Sequence, residues 1–117
     1  MVNYKERYFS HLQELTRVNN AHNSGIKQVF VTGGEFNSPL TQFAYGVMKP
    51  GDDSGIHTHE TMHEYFYFIR GCGLFSIEES FYEVIPESFL MVPAGKAHRL
   101  KNERESKLEF VYFGIAL

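Results

Sequence analysis

Apolar and polar positions change rhythm once along this chain of 117 residues. Tyr4, Tyr8, Phe9, Leu12 and Leu15 recur at helical period, and Asn3 with Glu6 has capping-box spacing, so a short N-terminal helix or arm is expected over residues 1–24. From Asn19 to Gly25 the residues are turn formers without periodicity, which ends that element. From Gly25 onward the runs are short and rich in Phe, Tyr, Val and Ile. Strands are expected at Ile26 to Thr32, Thr41 to Met48, His63 to Arg70, Leu74 to Ile77, Phe81 to Ile85, Phe89 to Val92, His98 to Lys101 and Leu108 to Ile115. Gly33-Gly34, Pro50-Gly51, Gly71-Cys72-Gly73, Pro86-Glu87 and Pro93-Ala94-Gly95 separate them.

No stretch between these runs is long enough for the helix of a parallel crossover, so the pattern predicts an all-β antiparallel sandwich or barrel over residues 25–117. In His63 to Ile69, Glu64, Phe66 and Phe68 share one face while Tyr65, Tyr67 and Ile69 share the other. Both faces are apolar enough to be covered, one by the barrel interior and one by a second sheet or subunit; a homodimer is expected.

Composition narrows the partners. With 11 basic and 14 acidic residues, a net charge of −3 and no Lys/Arg run, the chain lacks the footprint of a nucleic-acid binder. Its longest apolar stretch, Phe110 to Leu117, falls far short of the ~20 residues that span a membrane. No secretory signal is visible in the first residues, and the single Cys72 excludes an internal disulfide framework, which together point to the cytoplasm. Cys72, between two glycines and without a basic neighbour, reads as a hairpin residue rather than a nucleophile.

The chemistry concentrates in His57, His59 and His63, with Glu60 and Glu64 among them. Imidazole and carboxylate together suit a divalent transition metal such as Fe, Mn, Ni, Zn or Cu. Two geometries compete. His59-Glu60-Thr61-Met62-His63 fits H-E-x-x-H, which on a helix would be a peptidase motif, but Tyr65 to Ile69 follow as a strand and Gly51 and Gly55 precede it. On a strand, His57 and His59 leave the same face and chelate as a pair, whereas a helix would set them ~200° apart. Glu64 has the inward parity of the next strand, and His98 opens another after Pro93-Ala94-Gly95. His63 has the opposite parity and is expected to stand outside the site.

Gly51, His57, His59, Glu64 and Gly71 fit G-x5-H-x-H-x4-E-x6-G, and Pro93, Gly95, His98 and Asn102 fit P-x-G-x2-H-x3-N. These nine positions resemble the two motifs of the cupin superfamily. The resemblance implies a small antiparallel jelly-roll barrel that binds one divalent metal through His57, His59, Glu64 and His98. Four ligands leave two positions of a six-coordinate ion open, so the site would be accessible to a small molecule. Affinity should fall with pH as the imidazoles protonate. One position departs from the family: Glu87 stands where the second motif usually begins with Gly, and Pro86 in a type I turn is expected to serve instead.

Phe66 and Phe68 share the face of Glu64 and are expected to line the barrel wall, as packing or as a pocket border. Tyr45 and Tyr112 are candidates to bring a hydroxyl to the pocket, and Asn102 is either an outer partner of a metal ligand or a turn residue. The reading that follows is a metal-dependent enzyme of dioxygenase or isomerase type acting on a small molecule. A non-catalytic binding or sensing cupin and a metal-free sugar-epimerase-like cupin are the alternatives.

Overall fold

Residues 8–19 and 25–117 are described by the structure, a computed structural model. Its strands are β1 (Val18–Asn19), β2 (Ile26–Thr32), β3 (Leu40–Met48), β4 (Met62–Arg70), β5 (Gly73–Ile77), β6 (Ser80–Val84), β7 (Phe89–Val92), β8 (His98–Lys101) and β9 (Leu108–Ala116). They form a six-stranded sheet in the order β1-β2-β3-β9-β4-β7 and a three-stranded sheet in the order β6-β5-β8, with every pairing antiparallel. The last strand, β9, inserts between β3 and β4, which winds the chain into a jelly roll. All eight expected strands are present with bounds within one residue, and β1 is an addition too short to show in the sequence pattern.

Alternation decides what faces inward. Along β4, Glu64, Phe66 and Phe68 are buried while Tyr67, Ile69 and Arg70 are exposed. Inward residues of both sheets, among them Met48, Phe68, Phe75, Val84, Leu108 and Phe110, make one core. Phe66 meets Phe75 edge to face at 5.1 Å, and Phe68 lies 5.4 Å from Phe110. Gly46 completes this floor, because the Phe110 ring comes within 2.6 Å of where a Cβ would stand. On the opposite face of the large sheet a row of rings crosses five strands: Phe30 to Phe43 at 5.5 Å, Phe43 to Phe113 at 5.8 Å, Phe113 to Tyr65 at 4.9 Å and Tyr65 to Phe89 at 6.5 Å.

The N-terminal expectation needs correcting. Residues 1–7 lie outside the described residues, and between Tyr8 and Leu15 the helix reduces to a 3-10 turn, Leu12–Glu14. Tyr8 and Phe9 are exposed while Leu12 and Leu15 are half-buried, so only the last part of the apolar stripe is covered. A competing donor explains this: the Gln28 side-chain amide donates to Leu12 O at 2.8 Å and Leu15 O at 3.1 Å, carbonyls that a continuing helix would need for its own N–H groups. Short isolated helices are marginal, and one amide on the outer face of β2 is enough to redirect this one.

The turn before β7 is corrected too. Ser88 N–H donates to Ile85 O at 3.0 Å, closing a turn with Pro86 and Glu87 at its centre. Glu87 has φ of 72°, the third-position conformation of a type II turn rather than type I. Hydrogen bonds from Glu87 N–H to Phe68 O (2.7 Å) and from Phe68 N–H to Ser88 O (2.9 Å) hold the residue in a conformation that glycine would adopt freely. At Gly71, φ is 81° and an added Cβ would lie 2.1 Å from Lys107 O, so this motif position admits no side chain.

Candidate metal centre

The segment between β3 and β4 carries His57 and His59, and its backbone explains their placement. Gly51 N–H donates to Asn102 O (2.8 Å), Asn102 N–H to Asp52 O (2.9 Å) and Ser54 N–H to Leu100 O (2.9 Å), while His57 and His98 exchange backbone bonds at 3.0 and 2.9 Å. The segment thus runs antiparallel to β8. It is a chain of single bridges instead of the continuous strand expected, and His57 is paired in one of them. Side chains reinforce it: Ser54 Oγ accepts from Leu100 N–H at 2.9 Å, and Asp53 accepts from Gly55 N–H at 2.8 Å and from Arg99 Nε at 2.9 Å. The Arg99 guanidinium holds the Asp53 carboxyl down at about 2. No helix forms around His59 to His63, so the H-E-x-x-H geometry is absent from the described residues.

Four side chains converge at the mouth of the barrel. His57, His59, Glu64 and His98 each offer one ligand atom, and these atoms lie within 4.8 Å of one another. Glu64 Oε1 is 3.1 Å from His98 Nε2 and 3.4 Å from His59 Nε2. The outer ring nitrogens are held by backbone: His57 Nδ1 is 3.1 Å from Gly55 O, and His98 Nδ1 is 3.0 Å from Lys96 O. Donation of Nδ1–H to these carbonyls would leave Nε2 as a lone-pair donor facing the cluster, the tautomer a metal requires. Burial pushes the His57 pKa below its ordinary value, and His98 and His59 act in the same direction. Three imidazoles beside one carboxylate fit a divalent transition ion. Phe75 stacks on His98 at 6.1 Å with an interplanar angle of 6°, backing the ring from the core.

Below the cluster opens a cavity of about 150 Å³. Phe66 and Tyr112, stacked at 5.5 Å, form part of its wall. Burial, with the Glu64 charge adding, raises the Tyr112 phenol to about 12, so it keeps its proton at neutral pH. The other candidates lie elsewhere. Phe68 is fully buried in the floor, outside the cavity lining. Tyr45 has outward parity on β3 and its hydroxyl donates to Glu109. Asn102, buried, donates Nδ2–H to Met48 O and Ser106 O, both at 2.9 Å, and accepts from Arg104 N–H at 2.9 Å; it clamps a turn and touches no ligand. His63 points outward and its Nδ1 accepts from Ala94 N–H at 2.9 Å.

Sequence reasoning missed Lys27 and Gln42 on the cavity wall, along with Met48 and Met62. The signal was parity on β2 and β3, obscured by the register shifts between Val29 and Val31 and between Leu40 and Gln42.

A two-sheet antiparallel jelly roll with three histidines and a glutamate at its mouth defines a cupin barrel. The cupin domain family model matches residues 44–114, and the chain belongs to that family. Among solved structures, a predicted oxalate decarboxylase from Thermotoga maritima superposes with a TM-score of 0.85 at 22% identity, covering 93% of this chain and 99% of that one. The polyketide cyclase RemF from Streptomyces resistomycificus gives 0.79 at 14% identity, covering 92% and 78% of the two chains. KdgF from a Halomonas species gives 0.76 at 14% identity, covering 93% and 95%. No curated protein sequence matches the chain. At these identities the structural likeness defines the fold.

Proposed function

We propose that this cupin is a metal-dependent enzyme acting on a small molecule, with one divalent transition ion held by His57, His59, Glu64 and His98. The observation that carries the reading is four ligand atoms within 4.8 Å of one another at the edge of a cavity with a largely apolar wall. A bound ion would supply Lewis-acid or redox chemistry to a molecule in that cavity. The protein's own part is threefold. The imidazoles are pre-oriented by Gly55 O and Lys96 O, Phe66 and Tyr112 flank the substrate, and the Tyr112 hydroxyl stays a proton donor. Dioxygenation and isomerisation are the leading reaction types, since an open three-His, one-carboxylate site serves both. The predicted oxalate decarboxylase and the polyketide cyclase among the neighbours support small-molecule chemistry on this fold.

The test is elemental analysis of protein purified without a metal-affinity column, beside a His57→Ala/His98→Ala variant. About one equivalent of Fe, Mn, Ni, Cu or Zn in the wild type and none in the variant is expected. Failure of the wild type to hold metal after reconstitution would transfer the reading to a metal-free epimerase-like or binding cupin. We further propose a homodimer that covers the outer row of Phe43, Phe113 and Tyr65, and a cytoplasmic location in keeping with the unpaired Cys72. Sedimentation of wild type against Phe113→Glu tests the dimer, which the charge should dissociate. No helix among the described residues is long and apolar enough to cross a membrane.

A further inference from the structure

One charged residue in the cavity lies outside the ligand set. Lys27 projects inward from β2, opposite Gly46, and its Nζ donates to Gln42 Oε1 at 3.2 Å. Gln42 is opposite Gly114, and Gly114 is opposite Glu64, so the three residues lie on one row of the sheet. Two strand spacings, about 10 Å of backbone, separate Gln42 from Glu64 on that row. Both side chains enter the same cavity, which Lys27 also lines. The ammonium–amide pair and the His/Glu cluster therefore line one small space, two strands apart.

The donors on the Lys27 side are largely unspent. An ammonium has three N–H donors, and among the described residues one is taken by Gln42 and no carboxylate pairs with it. With its oxygen facing Lys27, the Gln42 amide has its NH₂ to offer as well. Glu64 is the one carboxylate in the lining, and its Oε1 lies in the ligand cluster, 3.4 Å from His59 Nε2 and 3.1 Å from His98 Nε2. The remaining wall is mainly apolar, with Met48, Phe66, Phe75 and Phe110. A half-buried ammonium bordering apolar surface and facing a neutral amide is stabilised by a counter-charge supplied from outside. A divalent ion beside Lys27 and Glu64 would also leave the cavity net positive, which a neutral ligand does not balance.

We propose that Lys27 and Gln42 form an anion-binding pole and that the molecule taken at the candidate metal centre is a small carboxylic acid, its carboxylate on Lys27 Nζ and Gln42 Nε2. This assignment of substrate class rests on the metal reading above. The volume agrees: cavities of about 150 Å³ admit a molecule the size of benzene, the heavy-atom count of a short keto, hydroxy or dicarboxylic acid. Lys27 is in this view a specificity residue that holds the acid end while the opposite end meets the ligand cluster.

The experiment is calorimetric titration of the Zn(II)-loaded and metal-free full-length protein with pyruvate, oxalate and glycolate, each beside its amide. Wild type is compared with Lys27→Gln, Lys27→Arg and Lys107→Gln, the last removing an exposed lysine away from the cavity. Wild type should bind at least one acid in preference to its amide, and Lys27→Gln should reduce that preference at least about tenfold, the loss of one charge-assisted hydrogen bond. Lys27→Arg should retain most of it and Lys107→Gln all of it, with zinc stoichiometry equal throughout. An unchanged preference in Lys27→Gln, or no acid bound by either form of the wild type, would overturn the proposal. If no zinc is taken up, the metal reading fails separately, and the metal-free titrations still decide whether Lys27 selects the acid.

Discussion

The mouth and the floor of this barrel are built from the same strands at the same parity, yet they hold opposite kinds of residue. Moving down the inner face, β4 passes from Glu64 to Phe66 and Phe68, β8 from His98 to Leu100, and β9 from Tyr112 to Phe110 and Leu108. Alternation settles inside against outside, while depth settles chemistry. At the mouth, buried polar atoms are matched by backbone carbonyls and by one another; at the floor, rings and aliphatic chains fill the space. The lesson is a division of labour, in which the floor sets stability and the mouth sets what is bound.

Substitutions at each level test that division. Phe68→Ala, in the floor, should cost about 3–5 kcal/mol of unfolding free energy by denaturant titration, yet folded molecules should take up metal as before. A folded Phe68→Ala protein without metal would show that the two levels are coupled. Glu64→Gln should lower metal affinity by more than the ~10–100-fold of an outer-shell change, while the barrel unfolds within ~1 kcal/mol of wild type. Unfolding of that variant at room temperature would end the separation from the other side.

Smaller effects sharpen the boundary. The Asp53–Arg99 pair ties the histidine segment to β8, and its side chains are 34% and 37% exposed. Because the folded Asp53 pKa is depressed from 3.8 to about 2, its contribution is present above 3.8 and is lost as pH falls through about 2. Asp53→Asn should therefore flatten the acid limb of a stability–pH curve in that window, by under ~1 kcal/mol for so exposed a pair, with metal release shifted alongside. Glu87→Gly, far from the mouth, should raise stability by up to ~1 kcal/mol by thermal denaturation, since it relieves a left-handed residue at the cost of a looser unfolded chain.

The strands were legible because each strong β run is bounded by its own turn residues, and the parity of His63 to Ile69 alone set Glu64 inward. The His57, His59, Glu64 and His98 set could be read as a group because its spacing follows the backbone pairing of the 51–59 segment with β8. Three features were hidden for physical reasons. The helix expected near Leu12 lost its carbonyls to Gln28, a contact between residues 16 apart that periodicity does not register. Lys27 and Gln42 owe their inward direction to register on strands interrupted by bulges. Asn102 keeps its motif position because it closes the turn to Ser106, so matching a motif did not separate a binding role from a structural one.

Phe110 lying over Gly46 gives the cavity a mode of change that single substitutions do not reach. One ring from β9 serves as the missing side chain of its neighbour on β3, so volume is shared between two adjacent strands. A larger residue at position 46 alone would collide with the ring, and a smaller one at 110 alone would leave a void. Made together, the two changes conserve core volume while moving the wall, the kind of exchange a packed interior tolerates best. Ligand size in a diverging lineage of this barrel would then shift by paired replacement at 46 and 110, with the histidines and the pole at Lys27 left in place.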